Sequence, residues 1–217
     1  MLQFITHTND RYSHIESALQ ALDGGCKWIQ LRMKDATTQQ IKVAAEYLCP
    51  VCKRYGATLV LDDRADLVIE TGADGVHLGK NDMSPDMARQ LLGSGYIIGG
   101  TANTFQDIRR LVAMGVDYIG LGPYRYTETK KNLSPILGIQ GYRDIVIQCR
   151  KENITTPIVA IGGITADDIP LLYSPSTSCR NFRKRRRLSQ TPRFFLRRIS
   201  VFLYRVLSGE SYRLNIL

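Results

Sequence analysis

The sequence predicts a parallel α/β fold of the (β/α)8 TIM-barrel type, with the eighth βα unit missing or replaced. Three observations predict it. Seven short, β-branched-rich apolar runs alternate with helical stretches through residues 1–173. A glycine-led turn recurs ahead of these runs, as Gly56-Ala57-Thr58, Gly72-Ala73-Asp74 and Gly115-Val116-Asp117, where glycine suits the left-handed end of a helix. Polar residues follow many of the runs, and no G-x-G-x-x-G follows the first. That distribution favours a barrel over a doubly wound sheet with one switch point.

The elements read in order as follows. Strands are expected at Phe4-Ile5-Thr6, Trp28-Ile29-Gln30-Leu31, Leu59-Val60-Leu61, Gly75-Val76-His77-Leu78, Tyr96-Ile97-Ile98, Tyr118-Ile119-Gly120-Leu121 and Ile158-Val159-Ala160-Ile161. Their apolar continuity fits parallel strands covered on both faces. A helix is expected from His14 to Leu22, with Ile15, Ala18, Leu19 and Leu22 on one face. A second runs from Gln40 to Tyr55, kinked or interrupted at Pro50, because proline lacks the donor a helix interior needs. A third runs from Phe105 to Met114, with Ile108, Leu111 and Val112 inward.

Composition bounds the function. The chain has 217 residues, 44% hydrophobic and 23% charged, ordinary values for a globular protein with a buried core. No apolar run has the length of a membrane span. Met1-Leu2-Gln3-Phe4 opens on a strand-like segment, so no secretory leader is expected and a reducing, cytoplasmic setting is. Five cysteines do not make a disulfide framework, and Cys49-Pro50-Val51-Cys52 has no supporting partner, so its thiols read as structural. The formal charge of +9 is unevenly placed. Of 29 basic and 20 acidic residues, 174–217 hold 11 and one, which leaves 18 and 19 in residues 1–173. The body is nearly neutral, and its charge gives no reason to expect nucleic acid as its partner.

In such a barrel the site lies at the C-terminal ends of the strands. The polar residues there are Gln30, Arg32 and Lys34; Asp62-Asp63-Arg64; His77, Gly79, Lys80, Asn81 and Asp82; Thr101 and Asn103; the loop Gly122-Pro123-Tyr124-Arg125-Tyr126-Thr127-Glu128-Thr129-Lys130; and Gly162-Gly163. Arg32, Lys34 and Lys130 suit a pyrophosphate, and Asp63 and Asp82 are hard oxygen ligands for a Mg²⁺ on the same group. A pyrophosphate so held is an activated leaving group. Thr127, Thr129 and backbone amides near Gly163 suit a second, monoester phosphate. His77 reads as a packed core imidazole ahead of a proton donor.

At this point the residues resemble the thiamine-phosphate synthase family. The matching motifs are Gln30-Leu31-Arg32-Met33-Lys34, Asp62-Asp63-Arg64, Gly72-Ala73-Asp74-Gly75-Val76-His77-Leu78-Gly79, Gly120-Leu121-Gly122-Pro123 with Thr127-Glu128-Thr129-Lys130, and Ala160-Ile161-Gly162-Gly163-Ile164. They stand in the family's order across about residues 3–172. The resemblance implies a transferase that joins hydroxymethylpyrimidine pyrophosphate to thiazole phosphate through a pyrimidine cation, with Mg²⁺ as cofactor. It implies that Arg32, Lys34 and Lys130 contact the pyrophosphate and carry the catalysis, and that Asp63 and Asp82 hold the metal. It implies that Gln30 and Thr101 contact the pyrimidine, Thr101 standing where serine is frequent. Asp62 stands where the family often has asparagine beside the pyrophosphate, and Thr127, Thr129 and Gly163 match the thiazole-phosphate site. A related branch aromatises the thiazole instead and tends to lack the pyrophosphate and metal residues, whose presence here favours the synthase.

After Thr165-Ala166-Asp167-Asp168-Ile169 the resemblance stops. The family continues with a glycine-led turn, an eighth strand and a small phosphate loop. Here no glycine occurs between Gly163 and Gly209, and basic runs such as Arg183-Lys184-Arg185-Arg186-Arg187 follow. Three readings are open: an out-of-frame segment, a basic extension for RNA, anionic lipid or a partner, or Val201-Phe202-Leu203-Tyr204 standing in for the eighth strand. The abrupt change in composition favours the first, so the tail 174–217 is expected not to complete the barrel. An impaired barrel that only binds ligands, and a binder acting through the basic tail, are the competing functions.

Overall fold

Strand formation follows the apolar runs closely. The computed structural model describes residues 1–126 and 135–172, and the backbone of 199–204. Eight strands form a closed sheet in sequence order: β1 Leu2–Ile5, β2 Trp28–Leu31, β3 Thr58–Asp62, β4 Gly75–Leu78, β5 Ile97–Ala102, β6 Tyr118–Leu121, β7 Ile158–Ala160 and β8 Ile199–Tyr204. The seven strands β1 to β7 pair in parallel with their neighbours, in registers such as Gln30↔Val60 and Asp62↔His77. The predicted runs therefore fall on the observed strands, with ends shifted by a few residues.

The helices are α1 His14–Asp23, α2 Thr38–Arg54, α3 Val68–Thr71, α4 Pro85–Leu92, α5 Phe105–Ala113, α6 Gly138–Lys151 and α7 Ile169–Leu172. Side-chain caps start several of them. Ser13 accepts from the Glu16 amide, Thr37 from Gln40 and Thr104 from Asp107, each in a reciprocal capping box. Helix α2 runs through Pro50 as one element, so of the expected kink or interruption the interruption does not occur. Pro50 lies on the exposed face, where water can reach the carbonyl that proline leaves without a donor. Helices α4 and α6 were not foreseen, although Ser84-Pro85 is a helix start with proline in the first turn.

The period of two sorts each strand into an inner and an outer face. Outward residues such as Ile29, Leu59, Leu61, Val76 and Ile98 pack with α1 to α4 in one cluster. A second cluster joins Ile119, Leu121 and Ile158 to Ile108, Tyr142 and Val146 of the later helices. Inside the barrel lies a smaller cluster of Trp28, Val60, Tyr118 and Val159. Two residues further along their strands stand Gln30 beyond Trp28 and Asp62 beyond Val60, so the same face carries polar groups toward the rim.

The eighth place corrects the expectation about the tail. Ile199–Tyr204 pairs with both β1 and β7, and both pairings are antiparallel. The unit is replaced, as expected, but the replacing strand closes the sheet, which the tail was expected not to do. An apolar, β-branched and aromatic run can satisfy two open edges in either direction, because an antiparallel ladder uses the same backbone groups. The reversal has a consequence for the rim. Ile199 pairs with Phe4, so the start of β8, not its end, lies toward the C-terminal ends of the other strands.

Candidate active site

The strand ends β2 to β5 bring an ion-pair network together. Asp62, the last residue of β3, accepts from the Gln30 side-chain amide at 2.5 Å. Arg32 Nε lies 3.4 Å and Lys34 Nζ 3.5 Å from the same carboxylate. Lys34 also pairs directly with Asp63. Burial, then the neighbouring Asp63 charge, pushes the Asp62 carboxyl up to about 6 against the pull of Lys34, Arg32 and Gln30. Burial acts to lower the Lys34 ammonium, but the hydrogen bond to Asp63 and the charges of Asp62, Asp63 and Asp82 outweigh it and raise it.

Asp63 is held in an uncommon backbone conformation. Its φ is +64°, and the Arg64 amide bonds back to the Asp62 carbonyl at 2.8 Å around it. Such strain at a non-glycine residue persists when its surroundings hold it, here a 2.8 Å bond from the Asp63 amide to the His77 carbonyl of β4. The turn after β4 brings Asp82 to meet it. Asp82 accepts from the Gly79 amide at 2.6 Å, and its carboxyl lies close to that of Asp63. Burial first, and then this contact with Asp63, raises the Asp82 carboxyl above its ordinary range.

Two adjacent carboxyls in one rim suit a divalent cation. Among the described residues no group of three or more His, Cys, Asp or Glu converges on a metal position. Magnesium is nonetheless commonly held by one or two carboxylates with substrate phosphates and water completing its shell, so the donor set fits that ion. A cavity of about 200 Å³ opens beside it, lined by Lys80, Asp82, Met83, Thr101, Asp107 and Arg110. Asp82 and Thr101 thus face one space.

The strand ends β6 and β7 are built differently. Pairing continues past the strands, with the Tyr124 amide on the Ile161 carbonyl at 2.9 Å and the Arg125 amide on Gly162 at 3.0 Å. Gly162 and Gly163 have φ of +85° and +71°. A Cβ on Gly163 would lie 2.9 Å from the Tyr126 carbonyl oxygen, so the close approach of the two loops requires glycine. Arg125, not singled out from sequence, forms a two-pronged pair with Asp168 at 2.7 and 2.5 Å and lies over the Tyr124 ring. The sequence signal was Thr165-x-x-Asp168, a capping box that also orients the carboxylate. Thr127, Thr129 and Lys130 lie outside the described residues.

His77 is buried, as expected for a core imidazole, with both ring nitrogens engaged: Nδ1 with the Tyr118 hydroxyl and Nε2 with Thr101, each at 2.9 Å. Gln3, also missed from sequence, lies within reach of both Gln30 and Tyr118. The thiols of Cys49 and Cys52 are buried in the helix layer and pushed up by that burial to about 11 and about 12, as structural thiols are. No helix among the described residues is long and apolar enough to cross a membrane.

Known proteins resemble this chain over most of its length. A family model described as thiamine monophosphate synthase matches residues 2–178. A thiamine-phosphate synthase of Bacteroides thetaiotaomicron is 57% identical over 171 residues, which cover 79% of this chain and 82% of that protein. One of Flavobacterium johnsoniae is 48% identical over 172 residues, 79% of this chain and 81% of its own. The solved structure of a thiamine phosphate pyrophosphorylase from Pyrococcus furiosus superposes with a TM-score of 0.67 at 30% identity, covering 78% of each chain.

Proposed function

The chain belongs to the thiamine monophosphate synthase family, and on that premise we propose that its rim transfers a pyrimidinylmethyl group from pyrophosphate to a thiazole nitrogen. The substrates are hydroxymethylpyrimidine pyrophosphate and thiazole phosphate; the products are thiamine phosphate and pyrophosphate. The observation that carries this reading is the convergence of Arg32 and Lys34 on Asp62 beside the Asp63–Asp82 pair. It is a site for a polyanion and a cation together.

The chemistry needs little proton transfer. The carbon–oxygen bond to the pyrophosphate breaks and its electron pair leaves with the oxygen. The thiazole nitrogen lone pair then forms the new carbon–nitrogen bond. What the protein must do is stabilise charge on the leaving group before and after that break. Arg32 and Lys34 are aimed at this task by Asp62, and Lys130 is the third cation of the set. Asp63 and Asp82 would hold a magnesium ion, which when bound adds positive charge at the pyrophosphate oxygens. Gln30 and Thr101 face the interior side of the site and orient the pyrimidine. Thr127, Thr129 and the Gly163 backbone receive the thiazole phosphate. Residues 1–173 carry the reaction, and 174–217 are a basic stretch of sequence that lends the strand β8. The four described free cysteines suit a reducing, cytoplasmic setting.

Steady-state formation of thiamine phosphate from the two halves, with and without magnesium, tests the reading. Magnesium-dependent product supports it. Absence of product, with both substrates shown to be intact, overturns it.

A further inference from the structure

The barrel interior holds a continuous polar chain whose middle members, Gln3, Tyr118 and His77, have no part in the reaction as described. It runs from Asp62 through Gln30, Gln3, Tyr118 and His77 to Thr101. Gln3, Gln30, His77, Thr101 and Tyr118 are all buried. Buried polar groups are expensive unless satisfied, and an apolar barrel centre would have been the simpler solution.

The backbone has been opened to hold the two rings. A Cβ on Gly99 would lie 2.1 Å from the Tyr118 ring, and one on Gly120 would lie 2.8 Å from the His77 ring. These strand glycines sit on the inner face and leave room for side chains from neighbouring strands. Trp28 packs edge-on against Tyr118, with centroids 4.9 Å apart, and helps to hold that ring.

One direction satisfies these hydrogen bonds together. A carboxylate only accepts, so the Gln30 amide nitrogen donates to Asp62. Gln30 Oε1 is then left to accept from Gln3 Nε2 at 3.1 Å. The other hydrogen of that amide reaches the Tyr118 oxygen at 3.3 Å. Tyr118 has a single hydrogen, and His77 Nδ1 is its acceptor. The imidazole is then neutral with its hydrogen on Nε2, which donates to Thr101 Oγ1. The hydroxyl hydrogen of Thr101 is left over, to be donated to whatever lies against it.

We propose that this chain is a polarised relay that fixes Thr101 as a hydrogen-bond donor to an unprotonated ring nitrogen of the pyrimidine substrate. Gln3, Tyr118 and His77 are its positioning residues. The relay selects a heteroaromatic ring that presents an acceptor at Thr101 and disfavours one that presents an N–H there. It rests on the reading that Thr101 and Gln30 meet the pyrimidine.

The test uses the full chain. NMR of the histidine ring nitrogens, over the three histidines of the sequence, reads the His77 tautomer directly. The relay requires a neutral His77 with hydrogen on Nε2 near neutral pH. Tyr118→Phe keeps the ring and removes the hydroxyl. It is expected to release His77 to a mixture of tautomers and to weaken binding of hydroxymethylpyrimidine by about tenfold, as for a lost buried hydrogen bond. Binding of inorganic pyrophosphate should be unchanged. Thr101→Ser should keep pyrimidine binding, and Thr101→Val should lose it. Hydrogen on Nδ1 in the unmodified protein, or equal weakening of both ligands by Tyr118→Phe, overturns the relay. So does equal behaviour of Thr101→Ser and Thr101→Val. Should Tyr118→Phe fail to fold, the native tautomer and the Thr101 pair still decide. A chain that shows the tautomer and binds the pyrimidine but makes no thiamine phosphate would sink the proposed reaction and leave the relay standing.

Discussion

The half of the rim formed by β2 to β5 and the half formed by β6 to β8 are made of different materials. The first uses charged side chains, each placed by the end of a parallel strand and neutralised by a neighbour: Arg32 and Lys34 by Asp62, and Lys34 also by Asp63. Among the described residues, the second is held by backbone pairing beyond the strands and by a clamp of Arg125 on Asp168. The first half is complete within consecutive units of the chain. The second depends on an eighth strand, and here that strand runs the opposite way. A barrel can therefore keep its charged half intact while its closure is rebuilt from an unrelated segment, because sheet edges require only backbone partners.

Breaking the charged half should have the largest effect. Lys34→Ala removes a cation shared by Asp62 and Asp63, and kcat for thiamine phosphate formation is expected to fall by roughly 10²–10³-fold, the scale of losing one electrostatic stabiliser. Steady-state kinetics with folding checked by circular dichroism measures it. Breaking the closure comes next. Deleting 174–217 removes β8 and opens the edges of β1 and β7. A fall in Tm on the order of 10 °C is expected, for a loss of about 3–5 kcal/mol. An unchanged melting curve would show that β8 contributes no stability.

A smaller effect tests the interior that both halves share. Gly99→Ala places a Cβ 2.1 Å from the Tyr118 ring. Overpacking of this kind typically destabilises by about 1–3 kcal/mol, which calorimetry would read as a lower Tm. The smallest effect belongs to the clamp. Arg125→Ala breaks a pair in which Asp168 is 5% exposed but Arg125 is 48% exposed, so solvent screening limits its worth to about 1 kcal/mol or less. Burial acts to raise the Asp168 carboxyl, but the bonds from Arg125 and Thr165 overcome it and hold it below the usual carboxylate range. A lowered carboxyl stabilises the fold fully above its unfolded value and loses that contribution as pH falls through the folded one. The Tm difference between Arg125→Ala and the unmodified chain should therefore be present near neutral pH and vanish in acid. A difference that persists in acid would assign the effect to packing over Tyr124.

Much of this half-and-half construction was legible in the residues. Period and turn chemistry placed the strands, since runs such as Trp28–Leu31 and Gly75–Leu78 are apolar and bounded by glycine or charge. The strand ends then named Arg32, Lys34, Asp63 and Asp82 as neighbours, because a parallel barrel delivers every strand end to one rim. The strand glycines Gly99 and Gly120 were given no role from sequence; they make room for Tyr118 and His77 from adjacent strands. That space is a property of three-dimensional register, invisible to spacing along one strand. Arg125 and Asp168 are 43 residues apart and meet only because β6 and β7 are neighbours.

The sequence by itself determined the order of the βα units and the chemistry at their ends, because side-chain periodicity and turn residues are local properties. Tertiary structure alone decided three things: the sharing of Asp62 among Gln30, Arg32 and Lys34, the buried chain from Gln3 to Thr101, and the direction of β8. Each depends on contacts between strands distant in sequence, where register and the need to satisfy buried polar groups and open edges choose among partners that composition leaves equivalent.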